Sequence, residues 1–157
     1  MTKLAIDIIL LPFEEMMERV IELNKELLKT NENKIILDKV KCVPHISLAM
    51  GCIDNKQLPE IEKTLQGIAK QFRTMKLRAV KIYTETISTG KKVAGFEIEK
   101  TKAIQTLHET AMERLKPYLS YNATLDTVFS PLQPEEVMLY WVNNFRTNSS
   151  FEKFFLI

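Results

Sequence analysis

The sequence predicts an α+β domain built from duplicated strand–helix–strand units, which form a mostly antiparallel, bilobal sheet with outer helices and a central cleft. Three observations carry this expectation. Short apolar runs alternate with stretches whose apolar residues recur every three or four positions, the signatures of strands and of half-buried helices. Two junctions look alike, because LAIDIILLPFEEMMERVIEL and VAGFEIEKTKAIQTLHETAMERL both pass from an apolar strand straight into an amphipathic helix. After each helix come a connection, a strand and a last segment, CVPHISLAMG in the first copy and FEKFFLI in the second. A duplication of this kind places the two copies about a pseudo-two-fold axis, with helices on the outside of the sheet.

Taken in order, LAIDIILLP (Leu4 to Pro12) is rich in isoleucine and leucine and closed by proline, as a strand buried on both faces would be. Phe13, Met16, Met17, Val20, Ile21, Leu27 and Leu28 then follow at helical spacing, with Glu14, Glu15 and Glu18 early in the helix. NENK (Asn31 to Lys34) reads as a turn, IILDK as a short strand and CVPHISLAMG as a longer one. Leu58, Ile61, Leu65, Ile68 and Phe72 stripe a second helix. KLRAVKIYTETI and VAGFEIE alternate as two strands joined by a hairpin-like turn, STGKK. A third helix turns Ile104, Leu107, Ala111 and Leu115 inward and ends at Lys116-Pro117. Leu119 to Pro134 reads as an irregular surface loop, EVMLYWV as a strand, and NNFRTNSSFEKFFLI as a polar turn with an aromatic tail.

With 157 residues the chain has room for one domain and a sizeable core. Its 22 Lys and Arg against 20 Asp and Glu give a net charge of +2. No global basic field therefore advertises nucleic acid, though a local patch remains open. Cys42 and Cys52 suggest no disulfide framework and fit a reducing cytosol. Asp7 and Pro12 interrupt the first apolar run, which has neither the length of a membrane span nor a small-residue cleavage site. The expectation is a cytoplasmic protein with no membrane partner.

In PHISLAMG, strand alternation would put His45, Ser47, Ala49 and Gly51 on one face and Ile46, Leu48 and Met50 on the other. Imidazole titrates near pH ~6.5 and exchanges protons at neutral pH, and a hydroxyl beside it can donate to a phosphoryl oxygen. Opening a cyclic phosphodiester needs a base for the incoming oxygen and an acid for the leaving one. A pair of His-x-Ser/Thr strands across a duplicated fold would supply both without a metal. The plainer reading of His45 is a packed structural histidine, and the strand alone leaves both open. Cys42, His45 and Cys52 lie close in sequence, but their spacing is not that of a usual zinc site. Lys91 and Lys92 could meet RNA phosphates or simply face water, and Tyr83, Glu97 and Tyr140 could line a cleft by alternation.

Pro44-His45-Ile46-Ser47-Leu48, preceded by a strand–helix–strand unit, resembles the first signature of the two-histidine (2H) phosphoesterase superfamily. More narrowly it resembles the bacterial 2′-5′ RNA ligase-like branch, also described as RNA 2′,3′-cyclic phosphodiesterases. The likeness in layout runs nearly the whole chain, from LAIDIILLP through the VAGFEIEKTKAIQTLHETAMERLKPYL segment to NSSFEKF. It implies two His-x-Thr/Ser motifs facing one cleft, no cofactor or metal, and RNA 3′ ends or small nucleotides with a cyclic phosphate as partners. Matched residue by residue, it makes His45 the first proton-transfer residue and Ser47 a phosphate-oxygen donor.

The sequence departs from the family at the second motif. Something like Pro-His-x-Thr should follow NSSFEKF, where the chain reads Phe155-Leu156-Ile157. The other histidine, His108 in TLHETAM, belongs at the edge of a buried helix stripe. The expectation is a single domain over residues 1–157, truncated from an active ancestor and catalytically impaired. One positioned acid or base contributes ~10²–10⁴-fold in rate. A degenerate nucleotide- or RNA-binding module on the same scaffold is the alternative, and completion of the cleft by a second chain is a third possibility. A missing last strand would leave a sheet edge unpaired or the FFLI tail poorly housed, and so favour self-association.

Overall fold

A computed structural model describes residues 3–30, 35–86, 90, 92–128, 136–148 and 153–156. Its elements follow as β1 (Lys3–Leu10), α1 (Glu14–Thr30), β2 (Ile46–Asp54), α2 (Leu58–Ala69), β3 (Ala79–Thr86), β4 (Lys92–Ile98), α3 (Lys102–Leu115), α4 (Glu136–Asn148) and β5 (Phe154–Leu156). The class is α+β, with two antiparallel sheets ordered β1-β2 and β3-β4-β5. Among the described residues no helix is long and apolar enough to cross a membrane.

The helix stripes find their cores. In α3, Ile104, Leu107, Ala111 and Leu115 are all buried, and Thr101 caps the first turn by accepting from the Ile104 N–H at 3.4 Å. Ile61 and Ile68 of α2 join Leu107, Ala111 and Leu115 over one face of the β1–β2 pair, against Leu48, Ala49 and Ile53. A second core joins the sheets: Val20 and Ile21 of α1 and Ile104 of α3 pack with Ile46 of β2, Ile98 of β4, and Phe154 and Leu156 of β5. A third, smaller cluster lays Val142 and Leu139 of α4 against Cys52 and Ala5. The first helix buries a narrower stripe than its sequence pattern suggests, since Met16 and Leu27 are exposed and Phe13, before the helix, is 71% exposed.

Four sequence expectations are corrected. EVMLYWV is part of α4, whose contacts run through Leu139, Val142 and Phe145 at three-residue intervals. IILDK is a loop, because side chains take the backbone bonds a neighbouring strand would have supplied. Asn24 of α1 donates to the Ile35 carbonyl at 3.1 Å and accepts from the Leu37 N–H at 2.9 Å. Asp38 Oδ1 gathers the N–H groups of Val40, Lys41 and Cys42. β1 is only half buried, with Ile9 partly exposed, because it pairs with β2 alone. Residues 154–156 of the FFLI tail are well housed: Phe154 and Leu156 are buried, and β5 pairs with β4 through Phe96↔Leu156, Glu97↔Phe155 and Ile98↔Phe154. The NENK turn lies outside the described residues. So do Ser88, Thr89 and Lys91 of the STGKK turn, whose Gly90 has φ +79°.

The pairing of β1 with β2 carries one irregularity. Ile8 faces Ala49 and Ile9 faces Ser47, so Leu48 is an extra residue, a bulge in β2. Farther along, Cys52 exchanges two backbone hydrogen bonds with Ser120, at 2.7 and 2.8 Å, and draws the chain after α3 across the strand. Gly51 makes that approach possible. A Cβ there would meet Leu119 Cδ2 at 3.0 Å and the Ser120 carbonyl oxygen at 3.2 Å. A Gly51→Val substitution should therefore cost about 1–3 kcal/mol by overpacking. Urea denaturation of the variant against wild type would measure it.

Candidate functional site

Directly paired residues of an antiparallel ladder point to the same face. Ile6, Ile8 and Leu10 of β1 oppose Gly51, Ala49 and Ile46, and this is the face under α2 and α3. Asp7 and Ile9 oppose Met50 and Ser47 on the other face, half of which α4 covers near Ala5 and Cys52. The flat alternation expected from the sequence is thus broken at Leu48. Ser47 does not share its face with Ala49 and Gly51, but with Asp7, Ile9 and Met50.

His45 directly precedes β2, and its ring reaches the same place. Its Nδ1 lies 2.6 Å from the Val43 carbonyl, and its Nε2 lies 3.3 Å from Asp7 Oδ2. Ser47 Oγ donates to that same Asp7 oxygen at 2.8 Å. The two residues singled out from the sequence are therefore brought together, and a third, Asp7, joins them. Sequence reasoning treated Asp7 only as an interruption. The usable signal was its charge, alone among apolar neighbours in LAIDIILL, at a position that must face away from a core.

Both ring nitrogens of His45 face oxygen acceptors, which suits the doubly protonated imidazolium. Burial pulls the pKa of this ring down. The Asp7 hydrogen bond, the Val43 carbonyl and the Asp7 charge outweigh burial, so the pKa ends above its ordinary value. About a quarter of each side chain is exposed, so the pair is neither sealed nor freely solvated. The arrangement is not a nucleophile–base relay, because the Ser47 hydroxyl points at the carboxylate rather than at the imidazole. What it can do is donate twice toward one point, from the ring Nε2–H when the imidazole is protonated and from a hydroxyl. Asp7 Oδ1, the other carboxylate oxygen, is buried and finds no hydrogen-bond partner among the described residues.

His108 is elsewhere and different. It is fully buried, with Nδ1 2.8 Å from the Leu48 carbonyl, and burial holds its pKa below the ordinary value. Of the other residues considered, Tyr83 stacks on Phe155 at 4.4 Å and Glu97 pairs with Lys81 at 3.2 Å, while Tyr140 lies on α4, a helix rather than a strand. Lys91 lies outside the described residues. Among the described residues no group of three or more His, Cys, Asp and Glu could hold a metal ion. Two surface hollows, one between Lys63, Thr64, Gly67 and Arg114 and one along the outer side of α1, do not border His45.

A scan against models of known protein families matches none, and a search of curated proteins finds no match.

The raised pKa makes a signed expectation. Protonated His45 stabilises the fold fully below its unfolded value of ~6.5, and that increment is lost as pH rises through the higher native value. Asp7→Asn removes the carboxylate's charge and leaves only a neutral amide oxygen to accept from His45. The His45 pKa should fall, read by NMR titration of its ring protons, and the loss of melting temperature between pH 6 and 8 should shrink.

Proposed function

We propose that this chain is a 2H phosphoesterase-like domain of the 2′-5′ RNA ligase or cyclic phosphodiesterase kind, acting on RNA or nucleotide ends that carry a 2′,3′-cyclic phosphate. The observation that carries the reading is the convergence of His45 Nε2 and Ser47 Oγ on a single anionic oxygen. Asp7 Oδ2 occupies the point where a phosphoryl oxygen would accept from an imidazolium and a hydroxyl together. In this reading β1, α1 and β2 form one strand–helix–strand unit and β4, α3 and β5 its counterpart, with a cleft between them. The shared core of Val20, Ile21 and Ile104 supports that pairing. Two free thiols suit a cytoplasmic setting.

Hydrolysis of a cyclic phosphodiester requires a proton to leave the attacking water and a proton to reach the departing ribose oxygen. As an imidazolium, His45 would serve the departing oxygen through Nε2, once phosphate displaces Asp7. Ser47 would hold a non-bridging oxygen. His108, sealed in the interior, does not reach the attacking water, whose proton would pass to bulk water, so this reading expects slow turnover.

A second reading, a non-catalytic nucleotide- or RNA-binding module on the same scaffold, has its own support. Asp7 already engages the working nitrogen, and the only other histidine in the sequence is buried.

A 2′,3′-cyclic nucleotide offered to wild type and to His45→Ala separates the readings. Turnover that vanishes in the variant supports the phosphodiesterase. Binding without turnover, weakened about tenfold or more by loss of a charge-assisted hydrogen bond, supports the module. Neither binding nor turnover in wild type would overturn both. Asp7→Asn should tighten binding of the same nucleotide in calorimetry, because a carboxylate no longer competes for the two donors.

A further inference from the structure

We propose that His108 is a positioning residue for the His45–Asp7–Ser47 cluster, and that it acts by holding the Leu48 bulge. The geometry runs in one direction. Were the β1–β2 ladder continued without the bulge from Ile8↔Ala49, Ile9 would face Leu48 and Leu10 would face Ser47. Leu10 lies on the face covered by helices, so Ser47 and the residue two before it, His45, would turn away from Asp7. One extra residue restores them to the Asp7 face. That residue is itself buried, and a buried carbonyl left without a donor is costly.

The Leu48 carbonyl accepts from His108 Nδ1 at 2.8 Å, so Nδ1 carries the proton. The ring is fixed from two further directions. Phe145 of α4 meets it edge-on with centroids 6.3 Å apart, and Phe154 of β5 does so at 5.6 Å. Side chains of α4 and β5 therefore converge with α3 on the ring that meets the bulge carbonyl. A residue that merely filled core volume would need no donor aimed at this carbonyl. An aliphatic side chain would do, as Leu107 and Ala111 do beside it.

The inference is independent of the phosphodiester reading, because its readout is the titration of His45 in ligand-free protein. His108→Phe fills the space without a donor, and His108→Gln supplies an N–H donor without the ring. In His108→Phe the His45 pKa should fall by about half a pH unit or more as the ring loses Asp7. His108→Gln should recover most of that fall. An unchanged His45 titration in His108→Phe would overturn the proposal, and so would a fall that His108→Gln does not recover. If His108→Phe does not fold, the wild-type ring decides. Nitrogen-correlated NMR must show the proton on Nδ1, and the opposite tautomer would overturn the assignment.

Discussion

One inserted residue in β2 determines what the exposed face of the first sheet can do. A strand offers two faces and assigns every side chain to one of them by parity, so the sequence before Leu48 and the sequence after it obey opposite rules. Beyond the bulge, Ala49, Gly51 and Ile53 serve the core with α2 and α3. Before it, Ile46 serves the core shared by both sheets, while Ser47 and His45 face Asp7. A polar triplet is thereby placed a few residues from a continuous hydrophobic strand without interrupting that strand's burial. Tightening the ladder by one residue would bury a hydroxyl and an imidazole among isoleucines.

The cluster's electrostatics pull against each other in a way that limits its chemistry. An imidazolium needs a nearby carboxylate to be favoured in a half-buried place, and Asp7 provides it. The same carboxylate repels any anion that approaches. A protonated ring and its counter-ion together are close to neutral, so under the proposed reading affinity for a phosphate would come from directed donors rather than from a cationic field. This fits a chain whose net charge is only +2. Under the proposed reading, proton transfer and anion capture would be coupled, because Nε2 would have to leave one oxygen to serve another.

Much of this was legible in the sequence. The apolar stripe of the third helix could be read from its fixed period, though His108, expected at the stripe's edge, is fully buried. His45 and Ser47 were legible as a pair for a similar reason: two polar residues two apart, beside an apolar run, are placed together by parity. The bulge was not legible, since an extra residue changes no composition and appears only in the partner strand's register. EVMLYWV misled because its β-branched and aromatic residues favour a strand locally, while packing of the partly buried Leu139 and burial of Val142 and Phe145 at helical spacing wins in the fold. IILDK misled for another reason, a competitor far off in sequence: the Asn24 amide satisfies that backbone from α1. Asp7 was visible as an anomaly, yet its role depends on a strand forty residues away.

The joint between α4 and the segment after α3 rests on another amide. Asn143 accepts from the Ala123 N–H at 2.6 Å and donates to the Ala123 carbonyl at 3.1 Å, as a neighbouring strand would. Hydrolysis of that amide to a carboxylate would keep the first contact and set a negative oxygen against a carbonyl in the second. One amide thus tethers helix to loop by a pair of bonds that an acid of the same shape could only half reproduce, while Val142 and Leu139 hold the apolar side of the joint.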